Sequence, residues 1–279
     1  MNSLRGKTLF ITGASRGIGL AIARRAARDG ANIVIAAKSA VPNPKLPGTI
    51  HTAAAEVEAA GGQALPVACD IREEDQVHAA VAQAVERFGG IDVCVNNASA
   101  INLARTEALD MKRYDLMQQI NPRGTFVVTQ ACLPFLRESD HAHVLTLSPP
   151  LSVDTRWLAG HSAYTLSKMG MTMITLGVAA DEPGIGANCL WPRTIIATAA
   201  VQNLLGGDEA MARARTPEIL ADAAHAILVR DPSSTTGNTF IDDEVLAEAG
   251  ITDLDPYSAA EGDLVLDIFV DGWPEGVPA

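Results

Sequence analysis

Aromatic side chains are scarce in this chain, 4% of 279 residues, and cysteines number four, with no two in a C-x-x-C pair. That spacing excludes a disulfide scaffold, a zinc ribbon and a thioredoxin-like redox pair. Three of Cys69, Cys94, Cys132 and Cys189 stand in apolar runs, as buried reduced thiols of a cytosol-like compartment do. The six histidines show no metal-ligand spacing, and no metal is expected. No run approaches the roughly 20 apolar residues of a membrane span. The opening "MNSLRGKTLFITG" lacks a long apolar stretch followed by a small-residue cleavage site, so the expected location is cytoplasmic. Cations are also few: 21 Lys and Arg against 33 Asp and Glu, a net charge of −12. An acidic surface disfavours sustained contact with phosphate backbones or anionic lipid, which excludes nucleic acid as a partner.

What is present is apolar residue, 48% of the chain, enough for one large core. Short apolar runs alternate with longer amphipathic ones. Strands are expected at 7–13, 32–38, 64–70, 91–98, 143–148 and 186–192. Helices are expected at 17–30, from about 52 to 62, from about 73 to 90, over much of 106–137 and at 162–180. Continuous Val/Ile/Leu runs suit parallel strands covered on both faces. The alternating order predicts an α/β doubly wound parallel sheet, a Rossmann fold, as a single dinucleotide-binding domain over 1–279. The loop "AVPNPKLPG" (40–48) holds three prolines and is longer than such connections usually are. From about 247 the chain is an acidic, weakly patterned tail, either docked or partly disordered.

"TGASRGIG" (12–19) joins the first strand to the first helix. Gly13, Gly17 and Gly19 permit a tight turn and close approach of a pyrophosphate, whose charge faces the free N–H groups of the helix. Read without a ligand, the same residues make only a tight turn. The second strand ends at Ala37-Lys38, where an acidic residue would bind the ribose 2′-hydroxyl of NAD. Lys38, with Arg16 as a second cation, suits the extra phosphate of NADP(H) instead; a solvated strand-end lysine is the plain alternative. Asp70 ends the third strand where it can meet an adenine edge, or it caps a turn. Tyr164 and Lys168, four apart, share a helix face. A nearby ammonium lowers a phenol's pKa and equips the pair to pass a proton while a nicotinamide moves hydride.

"TGASRGIG", "NNAS" (96–99), "INPRG" (120–124) and "YTLSK" (164–168) resemble the short-chain dehydrogenase/reductase family, in order and over about 240 residues. The proline-rich loop, "LSPPL" and "LWPRTIIATAA" resemble, more narrowly, the hydroxysteroid dehydrogenase-like group of that family. The resemblance implies that Gly13, Ser15, Arg16, Gly17, Ile18 and Gly19 hold the pyrophosphate end of the cofactor. It implies that Lys38, Asp70, Ile71 and Asn97 meet the adenosine half and its ribose, and that Thr198 also binds the cofactor. Tyr164 is then the proton donor and acceptor, Lys168 holds the nicotinamide ribose, and Asn121 holds a water that relays protons. A homodimer or homotetramer through the helical segments 106–137 and 162–180 is implied as well.

Three positions depart from the family pattern. Ser99 replaces a glycine after "NNA", and Arg193 follows Pro192 where a glycine is usual. The family's catalytic serine falls between two candidates: counting from the strand reaches Pro149, and counting back from Tyr164 reaches Leu151. Ser148, on the rigid strand end, is the preferred holder of the substrate oxygen; Ser152 is the alternative, and the remaining reading is neither, with both hydroxyls capping local backbone. Trp157, Leu158, Met169 and Trp191 suggest a roomy apolar pocket, though large apolar residues there are equally core. His161 reads as structural.

These features predict an NADP(H)-dependent oxidoreductase acting between a carbonyl and an alcohol on a hydrophobic, lipid-like or polycyclic small molecule. A nucleotide-binding sensor or scaffold without turnover, or an enoyl-thioester reductase, are the alternatives.

Overall fold

The computed structural model describes residues 3–44, 46–204 and 206–273. The end of the acidic tail and Lys45 of the proline-rich loop therefore lie outside the described residues. Seven parallel strands form one sheet in the order β3-β2-β1-β4-β5-β6-β7. They are β1 (Thr8–Thr12), β2 (Asn32–Ala37), β3 (Gln63–Ala68), β4 (Val93–Asn96), β5 (His143–Leu147), β6 (Gly186–Trp191) and β7 (Thr239–Ile241). The first six fall inside the ranges expected from the sequence, except that β3 begins one residue earlier. The seventh, three residues long, carries no sequence signal of its own.

Helices cover both faces because the strands are apolar on both. On one face α1 (Gly17–Ala27), α2 (Ile50–Ala59) and the later Glu218–Leu228 helix share a core with Leu9, Ile11, Ile33 and Leu145. On the other, α3 (Glu74–Phe88) and the Gly124–Leu136 helix pack on Phe10, Val34, Cys94 and Val144. In chain order the remaining helices are α4 (Met111–Gln118), α5 (Gly124–Leu136), α6 (Thr155–Leu158), α7 (Ser162–Asp181), α8 (Ala199–Leu204), α9 (Gly207–Ala212), α10 (Glu218–Leu228) and α11 (Asp242–Glu248). The helix expected over 106–137 is not continuous. A π turn, Gln119–Arg123, separates α4 from α5, and it contains Pro122, which has no N–H to continue the ladder.

A third, smaller core lies beyond the carboxyl ends of the strands. It gathers Met117 of α4, Tyr164 of α7, Trp191 of β6, Ile241 of β7, and Phe269 and Val270 of the tail. The tail is therefore docked, through residue 273, rather than disordered. Strand order reverses between β1 and β4, so a crevice opens at those carboxyl ends, where sheets of this kind bind ligands.

Candidate active site

The glycine loop leaves β1 at Gly13 (φ 67°) and enters α1 at Gly17 (φ 56°), both in the left-handed region that favours glycine. A Cβ on Gly19 would meet Asn97 Nδ2 at 2.5 Å and Gly13 O at 2.9 Å. Backbone thus packs on backbone and leaves a cradle. No side chain caps the N-terminus of α1, whose N–H groups face that cradle. Thr198 closes on it from the loop after β6, its methyl 3.5 Å from where a Gly17 Cβ would stand. Ser15 is buried and Ile18 half-buried in the same turn. These residues fit a dinucleotide pyrophosphate.

Asn97 braces the loop from β4: its Nδ2 donates to Thr12 O at 2.8 Å, and its own N–H donates to Thr12 Oγ1 at 3.0 Å. Arg16 is engaged by the proline-rich loop. Its Nε donates to Pro47 O at 3.0 Å and its Nη2 to Gly48 O at 2.6 Å. That loop is consequently a brace for the glycine turn, and Gly48 (φ 96°) must be glycine, because a Cβ there would lie 2.7 Å from Ser15 O. Lys38 is exposed just past β2, with no side-chain hydrogen bond among the described residues. Asp70 grips the Arg72 guanidinium, Nε to Oδ1 at 2.9 Å, which holds its carboxyl below the usual carboxylate range. Ile71 lies under Gly124, where a Cβ would come within 2.5 Å of its Cδ1.

Tyr164 and Lys168 are both buried on the inner face of α7. Lys168 Nζ donates to Leu147 O at the end of β5 (2.6 Å) and sits 4.9 Å from the Trp191 ring. Burial brings its pKa down to about 7, partly offset by the Asp267 carboxylate. Asp267 is in turn pushed up to about 8 by burial, against the Ile268 N–H and Lys168, which favour its charge. The Tyr164 phenol was expected to be lowered by Lys168. Here it is raised, because burial dominates and the charge of Asp267 adds to it. Phe269 lies stacked on the Tyr164 ring, with centroids 6.2 Å apart, and supplies part of that burial.

Asn121 is fully buried in the π turn. Its Oδ1 accepts from Ala100 N (2.7 Å) and Ser99 Oγ (3.2 Å), while Nδ2 donates to Ala100 O (2.9 Å) and Ser167 Oγ (2.9 Å). The side-chain amide is saturated, and it clamps the β4 end to α7. Ser99, the first departure from the family pattern, is one of its partners.

Ser148 is the serine expected to hold the substrate oxygen. It is fully buried, and its Oγ hydrogen-bonds Thr172 Oγ1 at 2.9 Å, two turns past Tyr164 on α7. Thr172 also bonds Pro149 O at 2.7 Å, and Cys189 lies against the same hydroxyls. Ser148 therefore faces the seam between β5 and α7 and is turned away from solvent. Ser152 is half-buried in the following loop, where its Oγ accepts from Asp154 N at 3.2 Å.

Arg193 is held rather than free. Its N–H donates to Asp242 Oδ1 (2.8 Å), Nε to Asp243 Oδ2 (2.6 Å) and Nη1 to Gly272 O (2.6 Å). Trp157 and His161 are aromatic neighbours of Phe269, at 6.0 and 5.9 Å, and Trp157 packs on the third core rather than around an open pocket. Leu158 is 39% exposed, and Met169 packs on the third core. Sequence reasoning missed Asp267 and Phe269; a lone aromatic in an acidic tail carries no periodicity to mark it.

Among the described residues, no group of three His, Cys, Asp or Glu could hold a metal, and no helix is long and apolar enough to cross a membrane. The family model for short chain dehydrogenase matches residues 7–207. The chain is 55% identical over 276 residues to hydroxysteroid dehydrogenase-like protein 2 of Xenopus tropicalis, and 52% identical to that of Homo sapiens. It covers 98% of this chain but 66% of each relative's length. A putative dehydrogenase of Xanthomonas campestris shares 61% identity with a TM-score of 0.94, covering 97% of this chain and 100% of that one. A short chain dehydrogenase of Mycobacterium thermoresistibile shares 57% with a TM-score of 0.92, covering 98% and 99%. With its glycine cradle, its strand-end crevice and Tyr164 and Lys168 on one helix, the chain belongs to the short-chain dehydrogenase family of oxidoreductases, whose cofactor is a nicotinamide dinucleotide.

Proposed function

We propose that the chain is an NADP(H)-dependent oxidoreductase that interconverts a carbonyl and an alcohol on a hydrophobic small molecule. One observation carries this reading: Tyr164 and Lys168 are buried together on α7, with Lys168 Nζ on Leu147 O at the carboxyl end of β5, the sheet end that also carries the glycine turn after β1. The nicotinamide, when bound, supplies or takes up the hydride. Tyr164 gives a proton to the substrate oxygen or removes one. Burial brings Lys168 down to about 7, so its side chain can be charged or neutral near neutral pH. Leu147 O orients its ammonium. Gly13, Ser15, Gly17, Ile18 and Gly19 hold the pyrophosphate with the α1 N–H groups, and Thr198 covers it. Arg16 shapes this turn through the proline-rich loop.

Lys38 supports NADP(H) over NAD(H): it is an exposed cation at the end of β2 with no carboxylate beside it in sequence. Asp70, Ile71 and Asn97 border the adenosine side, with Arg72 presenting a further cation there. Asn121 and Ser148 are positioning residues that fix α7 against β4 and β5. The four cysteines are buried and unpaired, which supports a cytoplasmic setting. Phe126 of α5 and Leu166 and Met173 of α7 are 53%, 57% and 64% exposed, which supports a homodimer or homotetramer through these helices, checked by light scattering. Consumption of NADPH with a panel of aromatic and aliphatic ketones tests the reading. No turnover with tight NADPH binding would favour the sensor or scaffold instead.

A further inference from the structure

The tail folds back along the loop after β6. Ile195 N–H donates to Val265 O (3.0 Å) and Asp267 N–H to Arg193 O (2.9 Å), with Thr194 and Leu266 paired antiparallel. Trp191 Nε1–H donates to Ile268 O at 2.9 Å. This path delivers Phe269 into a box of four rings. Its centroid is 6.0 Å from Trp157, 5.9 Å from His161, 6.2 Å from Tyr164 and 5.9 Å from Trp191. It lies nearly flat on Tyr164 (25°) and edge-on to Trp157 and His161 (62° and 88°). These are the offset and T-shaped arrangements that ring quadrupoles favour and that an alkyl chain cannot exploit.

The seat suits a ring, and its occupant, though followed by the buried Val270, sits on a strained backbone. Phe269 is the one non-glycine residue with positive φ (73°) among the described residues, a backbone region that a bulky side chain reaches only under strain. Beyond it, the tail is tied by Gly272 O to Arg193 and by an Arg156–Asp271 ion pair whose members are 51% and 79% exposed. Exposed pairs of that kind contribute little. Tyr164, the group that must reach a substrate oxygen, is left 5% exposed beneath this ring.

We propose that the box of Trp157, His161, Tyr164 and Trp191 is the ring-binding subsite of the substrate. Phe269 is its built-in occupant, displaced by a flat, ring-bearing carbonyl compound. The proposal rests on the reading of Tyr164 as the proton donor, and it narrows a hydrophobic substrate to one with a planar ring beside its carbonyl. Substrate affinity then contains a fixed penalty, since only the fraction of molecules with Phe269 withdrawn can bind.

The test uses the full chain without cofactor and the fluorescent ketone 6-propionyl-2-(dimethylamino)naphthalene, whose emission reports apolar binding without turnover. Phe269→Gly removes the ring and places a residue that accepts φ of 73°. It should bind the ketone at least fivefold more tightly than the wild type. Phe269→Leu should stay closer to wild type than Phe269→Gly. Adding Trp157→Ala to Phe269→Gly should abolish the gain. Unchanged or weaker binding in Phe269→Gly would overturn the proposal and make Phe269 a permanent wall. A gain that survives Trp157→Ala would overturn it too, by placing the probe elsewhere. If Phe269→Gly melts far below wild type, Phe269→Asn decides, since asparagine also lacks the ring and tolerates a positive φ: tighter binding supports the proposal and unchanged binding refutes it. NADPH consumption is read separately, so tighter binding without turnover would refute the redox reading while leaving the subsite standing.

Discussion

Replacing Ser148 by alanine separates a structural hydroxyl from a catalytic one. Its Oγ is bonded to Thr172 Oγ1 at 2.9 Å, and Thr172 keeps a second partner in Pro149 O at 2.7 Å. Truncation therefore removes one buried hydrogen bond without orphaning Thr172. The cost is at the low end of the range for such losses, about 1 kcal/mol. For a chain of this size that lowers the melting temperature by roughly 2–4 °C. If the hydroxyl instead donated to a developing oxyanion, its loss would cost roughly 10²–10³ in turnover with little change in melting. The assay is paired calorimetry and steady-state kinetics on one accepted ketone. A small melting shift with turnover within about threefold of wild type, the scale of a lost hydrogen bond of under 1 kcal/mol, fits the inward-facing serine. A hundredfold loss at unchanged melting would refute it and return Ser148 to the substrate oxygen.

Three other perturbations have worked signs. Lys38→Asp should weaken NADP(H) by roughly 1–3 kcal/mol, the loss of a charge-assisted contact, with NAD(H) affinity unchanged or improved; titration calorimetry with both cofactors checks it. Arg193→Ala leaves the buried Asp243 carboxylate without its cation and should destabilise by about 3 kcal/mol or more, read as a lowered denaturant midpoint. Asp267 has its folded pKa raised from 3.8 to about 8, so the stability it contributes is full below its unfolded pKa and is lost as pH climbs through 8. Asp267→Asn should accordingly gain in melting temperature over wild type as pH rises from about 4 to about 8, and a constant difference across that window would contradict the buried carboxyl.

The sheet was legible because its strands are unbroken apolar runs, and the glycine turn because φ above zero and close backbone approach leave few other residues possible. Tyr164 and Lys168 were legible from helical spacing. What stayed hidden depends on partners far along the chain. Arg193 was legible only as a departure from the family pattern, because Asp242, Asp243 and Gly272, which hold it, are distant in sequence. The four bonds of the Asn121 side chain come from Ser99, Ala100 and Ser167, far from it in sequence and outside any local pattern. The orientation of Ser148 follows from a rotamer set by Thr172, and no local pattern records it. The π turn replaced a continuous helix because Pro122 and Gly124 break the ladder where Ile71 needs room. Phe269 reaches Tyr164 only because the whole tail pairs with the loop after β6.

The central claim is that Tyr164 moves the proton. Steady-state NADPH oxidation by Tyr164→Phe, on a ketone the wild type accepts, tests it most directly when NADPH affinity is measured in parallel. The account predicts a loss of at least roughly 10²–10⁴ in turnover, the span typical of general acid–base catalysis, with cofactor binding largely kept. Turnover in Tyr164→Phe close to that of the wild type would contradict it.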